Sequence, residues 1–454
     1  VALLEEAIRL DTTFAMAYRK LGVALSNYND DPARAREALT RAFTLRNRLS
    51  ARERALAEAM YYTRVEPNEK KAIDTYESLL DIDPENWVAL NNLGVIYLGR
   101  RDFEHAIPLM RRAATVDSSP ARSVNLVDAE VEGGQLANAR RDYTTVASRF
   151  PGHPMTYGLQ SSLAYVDGDY DAAESALRAA VAAARPSRDM QEIAQSRLAM
   201  LLAMRGRLKE ALSLADQIHQ ESIQRDTSAS NRAQRGLQRA VDEANVDLWV
   251  RERTDRVPHL LDSALAANPL DRIPAQKRPY ASLSRLYTLT GHTARGRALL
   301  NEAEKVEAAI NGGRPAVDMH DDQDLSLARG DLAFAGGRVD SALTYYHLAG
   351  EGKAPLFGLP EIGFLYDKTG HPDSAMAVFR NYLNTVSMAR MYLDPIYLGK
   401  IYRRMGELAE GAGDRKSAAE YYAKFVALYR GADPEFTPLV AKVKDRLAKV
   451  SAES

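Results

Sequence analysis

A unit of about 34 residues recurs through this chain and constrains its fold more than any other feature. Its clearest copy begins at Trp87 and runs through Leu90, Leu93-Gly94, Tyr97, Asp102-Phe103, Ala106, Met110, Ala113 and Val116. Tyr402, Met405-Gly406, Gly413, Ala418 and Tyr422 follow the same spacing, as do Gly363, Tyr366, Gly370, Ala375 and Phe379. A further copy holds Tyr280, Leu283, Tyr287, Gly291 and Leu300. Within each copy, apolar residues fall at helical intervals, and a turn separates two such stretches. Neither helix can bury its apolar face alone, so successive copies must stack.

Small residues mark where two helices approach closely. Gly94 and Ala106 leave room that a larger side chain would occupy. The turns at Gly168–Asp171 and Gly413–Lys416 offer Gly for a left-handed backbone position and Asp to cap the next helix. Pro84, Pro151 and Pro269 close second helices.

These residues together resemble the tetratricopeptide repeat (TPR) family over almost the whole chain. The resemblance implies an all-α fold: a right-handed superhelical solenoid of TPR-like helix-turn-helix repeats with a C-terminal capping helix. About eleven helix pairs are expected. Leu49-Ser50, Arg52-Glu53-Arg54, Tyr61-Tyr62 and Asn91-Asn92-Leu93-Gly94 narrow the likeness. They are similar to the repeat region that follows bacterial Hanks-type serine/threonine kinase domains and to related bacterial signalling proteins. No kinase motif lies in these residues.

Repeats begin near Ala15, Glu53, Trp87, Pro120, Pro154 and Glu192, and resume near Lys277, Gln323, Leu356 and Gly399. The expected organisation is an N-terminal array over 1–225, a divergent repeat and bend over 226–273, a C-terminal array over 274–433, and a capping helix and tail over 434–454. Leu4, Ala7, Leu10 and Asp11 match the end of a second helix. The array thus reads as starting mid-repeat, the C-terminal portion of a longer protein.

Composition excludes several classes. A formal net charge of -1 offers no basic footprint for nucleic acid. With no cysteine, disulfides, thiolate zinc sites and a cysteine nucleophile are ruled out, while bacterial cytoplasm and periplasm both remain open. No run approaches the roughly 18 apolar residues of a membrane helix. Nucleotide-binding, zinc-protease and serine-hydrolase motifs are missing, so the chain is expected to be non-catalytic, with no cofactor and no metal. Asp167, Asp169 and Asp171 imitate a calcium loop, but Ala172 replaces its required Gly and Arg178 its last acid, so they read as a turn. Asp318, His320, Asp321, Asp322 and Asp324 form the densest ligand-like cluster, read as a solvated loop leading into a helix.

In the TPR family the first helices line a concave face, which implies a groove for a protein or peptide. The candidate groove residues are Asn91, Val95, Leu98, Val124, Asp128, Met155, Tyr165, Met200 and Met204, with Val88 and Val131 beside them. Val95, Leu98, Tyr165 and Met200 are expected to be at least partly exposed. The same face of the C-terminal half is expected to be charged, through Arg278, Arg285, Asp324, Asp331, Asp367, Lys368, Lys400, Arg403, Glu407 and Glu410. Val95, Val124 and Ser162 stand where chaperone-binding relatives carry a Lys/Asn clamp, which argues against capture of a C-terminal carboxylate. The favoured function is a protein-interaction scaffold. The alternative is an assembly module that self-associates or packs into a large complex.

Overall fold

Local sequence decides where each helix starts. Asn86, Asp102, Asp169 and Asp414 each accept a hydrogen bond from a backbone N–H of the first turn they precede, at 3.1, 3.2, 2.9 and 3.0 Å. Left-handed glycines then turn the chain between paired helices, as at Gly168 (φ 73°) and Gly413 (φ 78°). In the Trp87 repeat that backbone position falls to Arg101 (φ 59°), a side chain that L-stereochemistry disfavours there.

The computed structural model describes residues 1–28, 32–185, 187–225, 228–310, 323–351 and 355–452. Among them the regular structure is entirely helical, with no strand. Two compact units emerge, Val1–Arg149 and Phe150–Ser454. The first opens with α1 (Ala2–Leu10). Its pairs are α2 (Ala15–Tyr28) with α3 (Pro32–Thr44), α4 (Ala51–Arg64) with α5 (Glu69–Ile82), α6 (Trp87–Gly99) with α7 (Phe103–Val116), and α8 (Pro120–Glu132) with α9 (Leu136–Arg149). The second unit pairs α10 (Pro154–Val166) with α11 (Tyr170–Ala183), α12 (Arg188–Met204) with α13 (Leu208–Arg225), and α14 (Ala229–Asn245) with α15 (Arg256–Ala267). It continues with α16 (Tyr280–Leu289) and α17 (Thr293–Ile310), α18 (Gln323–Ala335) and α19 (Val339–Ala349), and α20 (Leu359–Lys368) and α21 (Pro372–Asn384). The last pair is α22 (Arg390–Gly411) and α23 (Arg415–Leu428), followed by α24 (Thr437–Ala452). From α2 to α23 this makes eleven pairs among the described residues.

The spacing of the sequence reappears as contacts between successive repeats. Arg19 donates to Glu53 at 2.7 Å and Asn125 to Asn91 at 2.8 Å, each across 34 residues. Inside each pair, a glycine on the first helix receives a large side chain from the second. A Cβ on Gly94 would lie 2.8 Å from Met110, one on Gly363 2.3 Å from Phe379, and one on Gly406 2.4 Å from Tyr422. Ala106 and Ala375 are fully buried at the same interfaces.

Residues 228–273 form a layer of the second unit. Leu237, Val241, Leu248, Val257 and Leu261 share one core there with Leu283 and Tyr287 of α16. Between α14 and α15 the helix widens into a π-helical turn over Val246–Val250. The second unit also closes on itself. Its last helices return to α12, so that Leu198, Leu202 and Leu208 share a core with Leu398, Phe425, Tyr429 and Val443.

The closing element is the unforeseen start of α22. Sequence spacing places this repeat near Gly399, whereas the helix begins at Arg390. Its additional turns bury Met391, Leu393, Asp394, Tyr397 and Leu398. A second fastening lies beyond α23. Asp433 caps α13, its Oδ2 accepting from the Lys209 N–H at 2.6 Å, and its own N–H donates to the Gly206 carbonyl at 3.0 Å. Capping helix α24 follows, with Val443 and Val450 buried and a largely polar outer face.

Candidate functional site

In the first unit the first-helix face stays open. The Asn125–Asn91 bond sets α8 beside α6, so Val95 and Asp128 occupy adjacent helices one turn further along. Val95 is 47% exposed, and Leu98, Val124 and Asp128 are half-buried. Asn91 differs from expectation. It is 7% exposed because its amide is spent inside the fold, accepting from Asn125 and donating to Asn92 at 3.1 Å. Val131 is likewise fully buried. Beneath this face Arg111 bridges Glu130 to Asp142, the latter at 2.7 Å. Burial, reinforced by neighbouring Asp142 and opposed by Arg111, pushes the Glu130 carboxyl up to about 7.

The second unit covers the matching face. Tyr165 and Met204 are 7% and 2% exposed, which overturns their expected place on an open groove. The Tyr165 hydroxyl donates to Asp394 at 2.7 Å, and Asp394 also accepts from Tyr382 at 2.6 Å and pairs with Arg390 at 2.9 Å. A fully covered carboxylate with three donors is a satisfied polar centre, and here it ties α10 to α22. Met155 on α10 is half-buried.

The charged groove expected in the C-terminal half is also spent internally. Arg285 pairs with Asp331 at 2.8 Å and Glu361 at 2.7 Å, which joins α16, α18 and α20. Asp367 binds Arg404 at 2.7 Å, and Arg403 binds Glu252 at 2.6 Å, with Lys400 3.3 Å from the same carboxylate. Glu407 and Glu410 hold Arg446 of α24 at 3.2 and 2.8 Å. Arg278 donates to the Ile273 carbonyl at 2.7 Å, and Lys368 lies 5.7 Å from the Phe334 ring. Asp324 and Lys368 of that set stay exposed without an ion pair among the described residues.

Met200 has a different setting. It is half-buried and lines a cavity of about 490 Å³ between α12, α13, α14 and the start of α22. A second cavity of about 220 Å³ adjoins it, bounded by α14, the π-helical turn, α16, α18, α20 and α22. Gln238, Asp242, Asn245, Tyr392 and Ile396 border both. Asp242 retains accessible surface yet is flanked by protein, because that surface faces the cavities. Desolvation there raises its carboxyl above the usual range, against a hydrogen bond from Gln238 at 2.9 Å. Sequence reading did not single out Asp242 or Tyr392.

The calcium-like aspartates serve the turn. Asp169 caps α11, and Asp171 pairs with Arg205. Asp318, His320, Asp321 and Asp322 lie outside the described residues, and no cluster of three or more metal-ligating side chains occurs among the described ones. No described helix is long and apolar enough to cross a membrane.

A tetratricopeptide repeat-like domain model matches residues 117–229, and a tetratricopeptide repeat model matches residues 70–122. Residues 70–229 thus carry TPR-like repeats. No curated protein matches the chain. Among solved structures, a tetratricopeptide repeat protein from Parabacteroides merdae is 16% identical, over 72% of this chain and 98% of its own, with a TM-score of 0.34. Yeast Tom70 is 11% identical over 89% and 97% of the two chains, with a TM-score of 0.35. The human IFIT1 dimer with PPP-AAAA is 16% identical over 95% and 86%, with a TM-score of 0.36.

Proposed function

We propose that this chain is a non-catalytic protein-interaction scaffold, the docking or sensor region of a larger bacterial signalling protein. Its docking surface for a protein or peptide is the first-helix face of the first unit. One observation carries the choice. Val95 stays 47% exposed there, whereas Ser162 and Tyr165, which stand at the places of Val95 and Leu98 in the second unit, are 2% and 7% exposed. An apolar side chain left accessible on an interaction fold is the natural anchor for a partner. The TPR-like match over 70–229 includes the helices that carry this face. The signalling setting rests on the likeness of Leu49–Arg54 and Asn91–Gly94 to repeats that follow bacterial kinase domains.

Capture of a partner from bacterial lysate tests the reading. Val95→Asp should abolish capture, since binding would bury an unpaired carboxylate, and capture by the parent chain should persist at high salt. Capture that survives Val95→Asp and disappears at moderate salt would overturn it. A second reading is an assembly module that self-associates or packs into a large complex. Light scattering decides between them: a monomer supports the scaffold and a defined oligomer the assembly module.

A further inference from the structure

The two adjoining cavities of the second unit differ in chemistry. The larger is apolar along its floor, where Met200, Ala203, Leu212, Ala215 and Ile218 meet Ile396. The smaller is acidic and aromatic. Asp242, Asp324 and Glu361 border it against a single cation, Arg285. That guanidinium is already shared between Asp331 and Glu361. Asp242 and Asp324 form no ion pair among the described residues. Trp249, Phe357, Tyr392 and Tyr397 supply rings around these carboxylates.

We propose that the two chambers together bind a small cationic amphiphile, an alkylammonium whose head lies between Asp242, Asp324 and the aromatic walls and whose hydrocarbon tail occupies the larger chamber. Aromatic faces attract quaternary and primary ammonium groups, and two unpaired carboxylates supply the opposite charge. Lys400 already uses one such ring, its ammonium 5.1 Å from Trp249. The chambers share Gln238, Asp242, Asn245, Tyr392 and Ile396, so a single molecule can extend through both. Taken together, the chambers fall within the roughly 300–1,000 Å³ of small-molecule sites. Methionine at the floor adapts to a flexible chain. Trp249 is delivered by the π-helical turn, an irregularity that recurs at ligand sites. Arg235 and His219 also border the larger chamber, as does Arg239, which is bound to Asp216. Their presence makes a fatty carboxylate the competing ligand.

Calorimetric titration of the full chain with decyltrimethylammonium and decanoate below their micellar concentrations, and with decanol below its solubility limit, tests this. Saturable one-site binding of the ammonium should exceed that of the other two at least about tenfold. Asp242→Asn should remove this preference and leave decanol binding unchanged. Met200→Trp, which fills the tail chamber, should weaken both neutral and cationic ligands. Asp324→Asn offers an independent reading of the head site should Asp242→Asn melt below the parent chain. Equal or tighter binding of decanoate, unsaturable uptake, or a preference untouched by both carboxylate substitutions would overturn the proposal.

Discussion

The two units use one repeat and finish it differently. In Val1–Arg149 each helix pair meets its neighbours in sequence, and the first-helix face is left with Val95 uncovered. In Phe150–Ser454 the same kind of face is closed by α22, which satisfies Tyr165 through Asp394 and leaves two chambers inside. A repeat therefore fixes which residues meet within a pair and between successive pairs. Whether the concave face stays available is decided by a distant segment.

Because Trp87 lies in the first unit and Trp249 in the second, and the chain has no other tryptophan, single-tryptophan backgrounds report each unit separately. The largest expected effect is at the closure. Asp394→Ala strands the Arg390 guanidinium and two tyrosine hydroxyls, and should destabilise the second unit by about 3–5 kcal/mol. Urea unfolding followed at Trp249 should shift while the Trp87 transition holds. Equal shifts would mean that the units do not unfold separately. Next comes packing in the open unit. Ala106→Leu should overpack α6 against α7 and cost about 1–3 kcal/mol at the Trp87 probe, while exposed Glu104→Ala stays within about 0.5 kcal/mol.

Glu130 sharpens the contrast through pH. Its folded carboxyl titrates near 7 against an ordinary 4.5, so the folded unit holds this proton more tightly than the unfolded chain does. The contribution is complete below about pH 4.5 and is lost as pH rises through 7, on the order of 3 kcal/mol. Paired melts of the parent and Glu130→Gln across this window should show the slope only in the parent. The smallest effect is expected at Arg101. Glycine relieves its left-handed backbone but gives up the ring contact with Phe103, so Arg101→Gly should stabilise by about 0.5 kcal/mol. A loss of stability there would mean that the side-chain contacts outweigh backbone strain.

Much of the pairwise architecture was legible because its causes are local. Leu90, Leu93, Gly94, Ala106 and Met110 sit at helical spacing and meet as their sizes require. Asp102 and Asp414 announce their caps. The closure was not legible, because Tyr165 at a first-helix position reads the same whether water or another helix covers it. The only local signs were the apolar residues before Gly399, and Pro395, which lies inside α22, argues locally against the longer helix. The charged set misled for a related reason. Arg285 and Asp331 read singly as solvent-facing, although opposite signs on successive first helices also describe an internal ladder, which Glu361 extends. Asp242 was missed because its neighbours in the cavities come from six other helices and the π-helical turn.

The docking of α22 on α12 sets a schedule for synthesis. Leu198 and Leu202 leave the ribosome about 200 residues before Leu398, a side chain that shares their core. At roughly 5–20 residues per second, that apolar surface waits about 10–40 s for its cover. The first unit imposes no such delay, since each of its repeats is completed by the next to emerge. Transiently uncovered apolar surface is prone to aggregate, so slowing translation between α13 and α22 should lengthen the second unit's exposure to it.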